Sequence, residues 1–286
     1  MARASGPRRR RAAAAKAEPV KRVTRQASGE PPLPSGPVSA RGPWLVAEYV
    51  PTALFSLKAS FATSSVGRTL VVATPYAVKM AFVDAAFRAG LADPDCADFL
   101  RSLVPIEVRV APPAEAVVTH TFVKVRQESR GDDPMRPYSS TIAYREVVHH
   151  RGAWQWAFDL GAGDRLVAER LERLAPFVSY IGKRGSFVQF RRLFRTMALG
   201  TEFSQVVQSR TAWTLPPRGH IVPLDDFGPE ADLETLSSFN VKNPIRDRHR
   251  RFVETIVPLG LINTGPGFSE YRGVPRGPDD QRGTEK

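Results

Sequence analysis

The sequence predicts an α+β fold, and three observations carry that prediction. Stretches rich in β-branched and aromatic residues recur along the chain. Two segments between them bear helix start and stop signals. The order in which they come is β, α, β-β, α, β. That is the split β-α-β, ferredoxin-like arrangement, with helices on one face of an antiparallel sheet, and the same βαββαβ topology underlies RRM-like, RNA-recognition folds.

Each element has its own justification. "WLVAEYVPTALFSLKAS" (44–60) is apolar on both faces, as in a buried strand, and a linker with Gly67 follows. "TPYAVKMAFVDAAFRAG" (74–90) reads as a helix with Thr74 as its cap, Pro75 in the first helical position and Gly90 past its end. Only Lys79, Asp84 and Arg88 interrupt its apolar surface, so it should be well buried. "IEVRV" (106–110) and "AVVTHTFVKVRQ" (116–127) read as strands. The polar stretch 128–137 separates the second from "SSTIAYREVVHH" (139–150). Arg151 and Gly152 make a tight hairpin turn into "AWQWAFDL". A second helix spans 164–175, capped by Asp164, with Val167, Leu171 and Leu174 at i, i+4 and i+7 and Pro176 as its stop. "SYIGKRGSFVQF" (179–190) then reads as a strand.

Residues 43–200 are thus the ferredoxin-like domain. Beyond it, 201–270 is a β/irregular extension, with one strand at 251–262 among loops marked by Pro216, Pro217, Pro223, Pro229 and Pro244. Residues 271–286 read as a flexible tail. Residues 1–42, rich in Arg, Ala, Pro, Gly and Ser without apolar periodicity, cannot offset their ordering entropy and read as disordered.

Charge is distributed unevenly. Net charge is +12, yet residues 1–42 hold ten Lys/Arg against Glu18 and Glu30, leaving 31 against 27 for the remainder. The folded body is only mildly basic, so an acidic partner must be sought through clusters of cations. A single cysteine, Cys96, permits no intrachain disulfide and reads as structural. No apolar run approaches the ~20 residues that span a bilayer, and the four alanines after "RRRR" are too short for a signal peptide. These features lead to the expectation of a soluble, cytoplasmic protein with no membrane association.

The turn "IGKRGS" lacks the spacer and Lys-Ser/Thr pair of a Walker A loop and is no Rossmann fingerprint. Its Gly182 and Gly185 would let a polyanion approach the backbone, with Lys183 and Arg184 supplying charge and Ser186 beside them. Arg191, Arg192 and Arg195 follow on the same segment. A solvated charged hairpin fits this composition equally well. Lys124 and Arg126 on one strand, Tyr144 and Arg145 on the next, and Arg136 and Tyr138 between them mix cations with aromatics as RNA backbones and splayed bases require. The five histidines show no metal-binding spacing, and the lone cysteine excludes a zinc–cysteine site, so no metal or cofactor is expected. His149 and His150 beside Arg151 could serve as acid and base in RNA cleavage, although a turn position favours ordinary loop composition.

With "YIGKRGSFVQF" after a helix and "TIAYREVVHHRGAWQWAFDL" before it, the chain resembles the RAMP superfamily of CRISPR-associated proteins, and within it the Cas five family. The likeness spans roughly 44–195, and the Arg-rich arm lies outside it. It implies a ferredoxin-like domain with a glycine-rich loop after the second helix and a thumb hairpin inserted in the sheet. It further implies a subunit that caps one end of a type I Cascade complex, grips the 5′ handle of the crRNA and contacts the first backbone subunit. The large subunit would be a further partner, and target DNA an indirect one. Gly182, Lys183, Arg184 and Gly185 match the glycine-rich loop, while 126–145 matches the thumb, with Arg126, Arg136, Tyr138 and Arg145 as contacts. Lys79 and Arg88 on the first helix would lie on the handle-binding side. The resemblance favours a non-catalytic role. Two alternatives stand beside it: a metal-independent RNA endonuclease of the same superfamily, and a nucleic-acid-packaging structural protein with an Arg-rich arm. The two strong helices argue against a jelly-roll capsid fold.

Overall fold

The computed structural model describes residues 43–58, 67–128, 135, 138–162, 165–207, 219–236 and 247–274. They all belong to one unit spanning Ser35–Lys286. The proposed disordered arm, the Asp164 cap and Arg136 lie outside the described residues. Among those that are described, no helix is long and apolar enough to cross a membrane.

The architecture is mixed α+β and sheet-rich. A four-stranded antiparallel sheet runs in the order β2 (Val108–Ala111), β5 (Trp154–Asp159), β1 (Trp44–Pro51), β6 (Val188–Thr196). Strand β1 is buried on both faces because each face has its own cover. Leu45, Ala47 and Tyr49 enter the main core, whereas Trp44 and Val46 pack with Ala111, Ala157, Leu199 and Phe203 in a second cluster.

Helix α1 (Pro75–Arg88) starts as expected. The Thr74 side chain accepts the Ala77 N–H at 3.1 Å, Pro75 opens the helix, and Gly90 follows its end at φ +84°. Ala77, Val78, Phe82, Ala85 and Ala86 are buried, their small side chains allowing neighbours on several sides. Burying Phe82 alone contributes about 2 kcal/mol. A further helix, α2 (Asp93–Leu103), was not anticipated. Its signal is legible in retrospect: Asp93 and Asp95 favour the first turn, and Cys96, Phe99, Leu100 and Leu103 form a buried i, i+3, i+4, i+7 stripe. Burial, and then Asp93 and Asp95, push the Cys96 thiol pKa up, in keeping with an inert structural role. Helix α3 (Arg165–Leu174) buries Val167, Ala168, Leu171 and Leu174 as its periodicity predicts.

A second sheet has the order β10 (Leu259–Gly265), β11 (Phe268–Gly273), β3 (Glu115–Glu128), β4 (Tyr138–Arg151). Strands β3 and β4 pair from Glu115↔Arg151 to Glu128↔Tyr138. The base of this hairpin is in the core through Ala116, Val118 and Val148, but Phe122 and Ile142 are each 73% exposed, so its distal half protrudes. The tight turn at 151–152 exists, with Gly152 at φ +107°, but it does not join a hairpin. It passes the chain from β4 to β5 in the other sheet, because the apolar "AWQWAFDL" is drawn between β1 and β2.

Strands β7 (Gln205–Val206), β9 (Arg250–Val257) and β8 (His220–Phe227) form a third sheet with β9 central. Pro223 is tolerated because β8 is an edge strand. Pro258 divides the expected strand 251–262 into β9 and β10. Residues 268–273, placed partly in the flexible tail by composition, form β11 and pair with β3.

Candidate nucleic-acid interface

The segment 180–187 is a tight turn, and the strand begins only at Val188. Ile181 N–H donates to Ser186 O at 3.1 Å, and Ser186 N–H donates to Lys183 O at 3.1 Å. Gly182 and Gly185 sit at φ +67° and +102°, in the left-handed region that glycine enters without steric cost. A Cβ on Gly182 would also lie 2.7 Å from Leu57 Cδ1. Buried Ser186 accepts the Ser56 N–H at 3.2 Å through Oγ, which ties the turn to the 55–58 segment. Lys183 and Arg184 are exposed at the tip.

That neighbouring segment lies along the outer edge of β4. Phe55 and Val148 exchange backbone hydrogen bonds of 2.9 and 2.7 Å, Leu70 N–H donates to Leu57 O, and Glu146 N–H donates to Gly67 O at 2.9 Å. The Glu146 carboxylate accepts Thr69 N–H at 2.9 Å. Gly67 crosses the β4 backbone so closely that a Cβ would collide with Tyr144 O. These contacts bring Lys58, Arg68, Arg145 and Lys183, four cations from four segments, to one cleft of about 1520 Å³. Helix α1 lines it with Tyr76, Met80, Val83, Asp84 and Phe87, α2 with Asp93 and Arg101, and the short helix α4 (Leu233–Leu236) with Leu233 and Glu234, after Asp232.

Charge pairing sets these four apart from the other two cations that line the cleft, Arg101, which pairs with Asp98, and Arg250, which pairs with Asp225. Arg88 pairs with Asp84 at 2.7 Å, Arg109 with Glu107 at 2.7 Å and Arg195 with Glu172 at 2.7 Å. Lys58, Arg68, Arg145 and Lys183 take no ion pair among the described residues. Composition revealed neither Lys58 nor Arg68, because the relevant signal is the backbone crossing at Gly67 and not any local charge run.

The other candidates are placed elsewhere. Lys79 corrects the expectation: it is 0% exposed and paired with Asp226 of β8 at 2.7 Å, so it is unavailable to RNA. Asp226 and Phe227 of the third sheet cover this part of the helix. Arg88 is half-exposed but committed, donating to Asp84, to Ser179 Oγ at 3.1 Å and to Phe177 O at 2.7 Å. It clamps the end of α1 to the chain entering the turn. Arg191 and Arg192 both reach Glu48, at 3.2 and 3.0 Å, because a bulge opposite Glu48/Tyr49 brings consecutive residues to one carboxylate. Burial works to raise the Glu48 pKa, but hydrogen bonds from Gln155 and Arg192, with both guanidinium charges, hold it below the ordinary value. This cluster shares the sheet face of Trp44 and Val46, opposite the helices. Arg126 and Tyr138 share one face of the protruding hairpin, opposite Ser140 and Glu128 respectively, while Arg145 lies on the other.

The histidine pair is divided by strand alternation. His150 is buried against Phe55 and Trp154, with Nε2 donating to Val71 O at 2.8 Å. Burial pushes its pKa down to about 4, so it is neutral and shielded. His149 points to the opposite, exposed side, so the two cannot act together as acid and base. His120 does meet other titratable groups: it is hydrogen-bonded to Tyr144 Oη and lies 3.7 Å from Glu146. Its cross-strand register, not its local sequence, assembles that trio.

No family model and no curated protein sequence matches the chain. Two of the solved structures to which the chain is similar are CRISPR proteins. One is a CRISPR protein from Archaeoglobus fulgidus, with a TM-score of 0.41 and 11% identity over 82% of this chain and 92% of the other. The second is a chain of a CRISPR RNA-guided surveillance complex, with a TM-score of 0.38 and 15% identity over 84% and 96%.

Proposed function

We propose that the protein is a non-catalytic RNA-binding subunit of a type I CRISPR surveillance complex, gripping the 5′ handle of the crRNA beside its glycine turn. The observation that carries this reading is the convergence of Lys58, Arg68, Arg145 and Lys183 on one cleft without ion-pair partners among the described residues. A fold that neutralises most of its buried and half-buried charge leaves these cations for an external polyanion. The sheet order β2-β5-β1-β6, with crossovers through α1–α2 and α3, supports a ferredoxin-like reading of this domain and with it the same function. The protruding β3–β4 hairpin is the segment to serve as a thumb toward a neighbouring subunit.

Phosphate contacts release counterions, so affinity for single-stranded RNA falls with salt by about 0.7 log units per contact and per log unit of salt. The combined replacement Arg68→Ala, Arg145→Ala, Lys183→Ala should weaken binding by about 100-fold at low salt and reduce the salt slope by about 2. Fluorescence anisotropy over a salt titration checks this. An unchanged affinity and slope would remove the cleft from RNA binding.

A further inference from the structure

The cation cluster does not stand on a flat surface. Helix α1 connects it to the third sheet. Near one end of α1, Tyr180 Oη donates to Asp84 Oδ1 at 3.0 Å and Arg88 holds Ser179, fixing the glycine turn there. At the other end Tyr76 lies with the Arg250 guanidinium 4.0 Å from its ring centroid and Phe227 edge-on. Asp84 and Tyr76 are eight residues apart, about 12 Å along a helix. Between them Met80 and Val83, with Phe87 beyond, line the same cleft as Leu233. The lining also carries Asp84 and Asp225, which pair with Arg88 and Arg250, and Asp93, Asp232 and Glu234. A groove that joins four cations without ion pairs among the described residues to apolar and aromatic side chains matches a nucleotide: a charged phosphate joined to a flat apolar ring.

We propose that this groove receives one or two unstacked bases of a single-stranded RNA whose phosphates rest on Lys58, Arg68, Arg145 and Lys183. The inference rests on the RNA-binding reading above and adds to it that the α1 groove is a base subsite. It follows that the site takes splayed single strands and discriminates against duplex, whose bases are already stacked and paired. A partner helix laid in the groove is the competing occupant. The four unpaired cations beside the apolar side chains favour the nucleotide.

The test uses the full chain and a labelled single-stranded RNA of about 12 nucleotides, a length within the footprint of such sites. A single abasic position is walked along that RNA. Loss of one or two particular bases should weaken binding by about 10-fold, whereas loss of the others should not. Met80→Ala combined with Phe87→Ala should weaken binding of intact RNA by a similar factor. It should leave the salt slope unchanged and abolish the penalty for the abasic positions. Because the abasic walk needs no variant, misfolding cannot obscure the answer. Salt-dependent binding that is indifferent to every abasic position would overturn the base subsite while leaving the phosphate cluster intact. Equal affinity for duplex and single strand would also overturn it. Absence of salt-dependent binding altogether would overturn both readings.

Discussion

The contact between α1 and the third sheet and the mouth of the adjoining cleft hold the same chemical groups in opposite circumstances. At the contact, Lys79 is sealed against Asp226, Arg251 reaches the same carboxylate at 3.3 Å, and Arg250 donates to Asp225 at 2.6 Å. At the cleft mouth, Lys58, Arg68, Arg145 and Lys183 have no ion pair among the described residues. Cations matched inside the molecule hold one element to another. Cations left unmatched contribute nothing to that and are available to a ligand. A count of Lys and Arg does not distinguish the two groups; their neighbours in the fold do.

The contrast is broken most forcefully at Lys79. Burial lowers its pKa against the opposing pull of Asp226, so the pair stands only while both members are present. Lys79→Met leaves a buried carboxylate short of a partner and should cost about 3–5 kcal/mol of stability. Urea denaturation measures this. A loss below about 1 kcal/mol would mean that Arg251 alone satisfies Asp226.

A second sealed group sharpens the comparison through pH. His150 is held neutral by burial, with a folded-state pKa of about 4 against an ordinary 6.5. Between these values the unfolded chain binds the proton and the folded chain does not. Stability associated with His150 is therefore fully present above pH 6.5 and is lost as pH falls toward 4, by up to about 3 kcal/mol. His150→Gln, which keeps a donor for Val71 O, should remove this component. The loss of stability between pH 7 and pH 4.5 should then be smaller than in the parent, and an equal loss would exclude His150 as its source.

What the sequence revealed follows from which interactions are local. Helix α1, the α3 stripe and the both-sided burial of β1 were legible because caps and periodicity are short-range properties of the chain. The glycine turn was legible as a turn for the same reason. Helix α2 has an equally local pattern, which the aspartates beside Cys96 obscured. The switch of sheets at Gly152 depends on β5 preferring β1 and β2 to β4, a contest among distant segments. The same limit applies to the site. Lys183 and Arg145 could be nominated from their surroundings, but Lys58 and Arg68 enter only through the crossing of β4 at Gly67. Lys79 was misplaced because its cover comes from β8, more than a hundred residues away.

The smallest effect is expected where the comparison predicts least for stability and most for binding. Arg68 is exposed and has no ion pair among the described residues, so Arg68→Ala removes no stabilising contact of that kind. It does remove one of four like charges grouped around a single opening. Stability should therefore change by no more than about 0.5 kcal/mol, in the stabilising direction, and the gain should shrink as salt screens the remaining cations. Thermal denaturation at low and high salt would record it. A clear destabilisation, independent of salt, would show that Arg68 holds the crossing at Gly67 together and belongs with Lys79 among the matched cations.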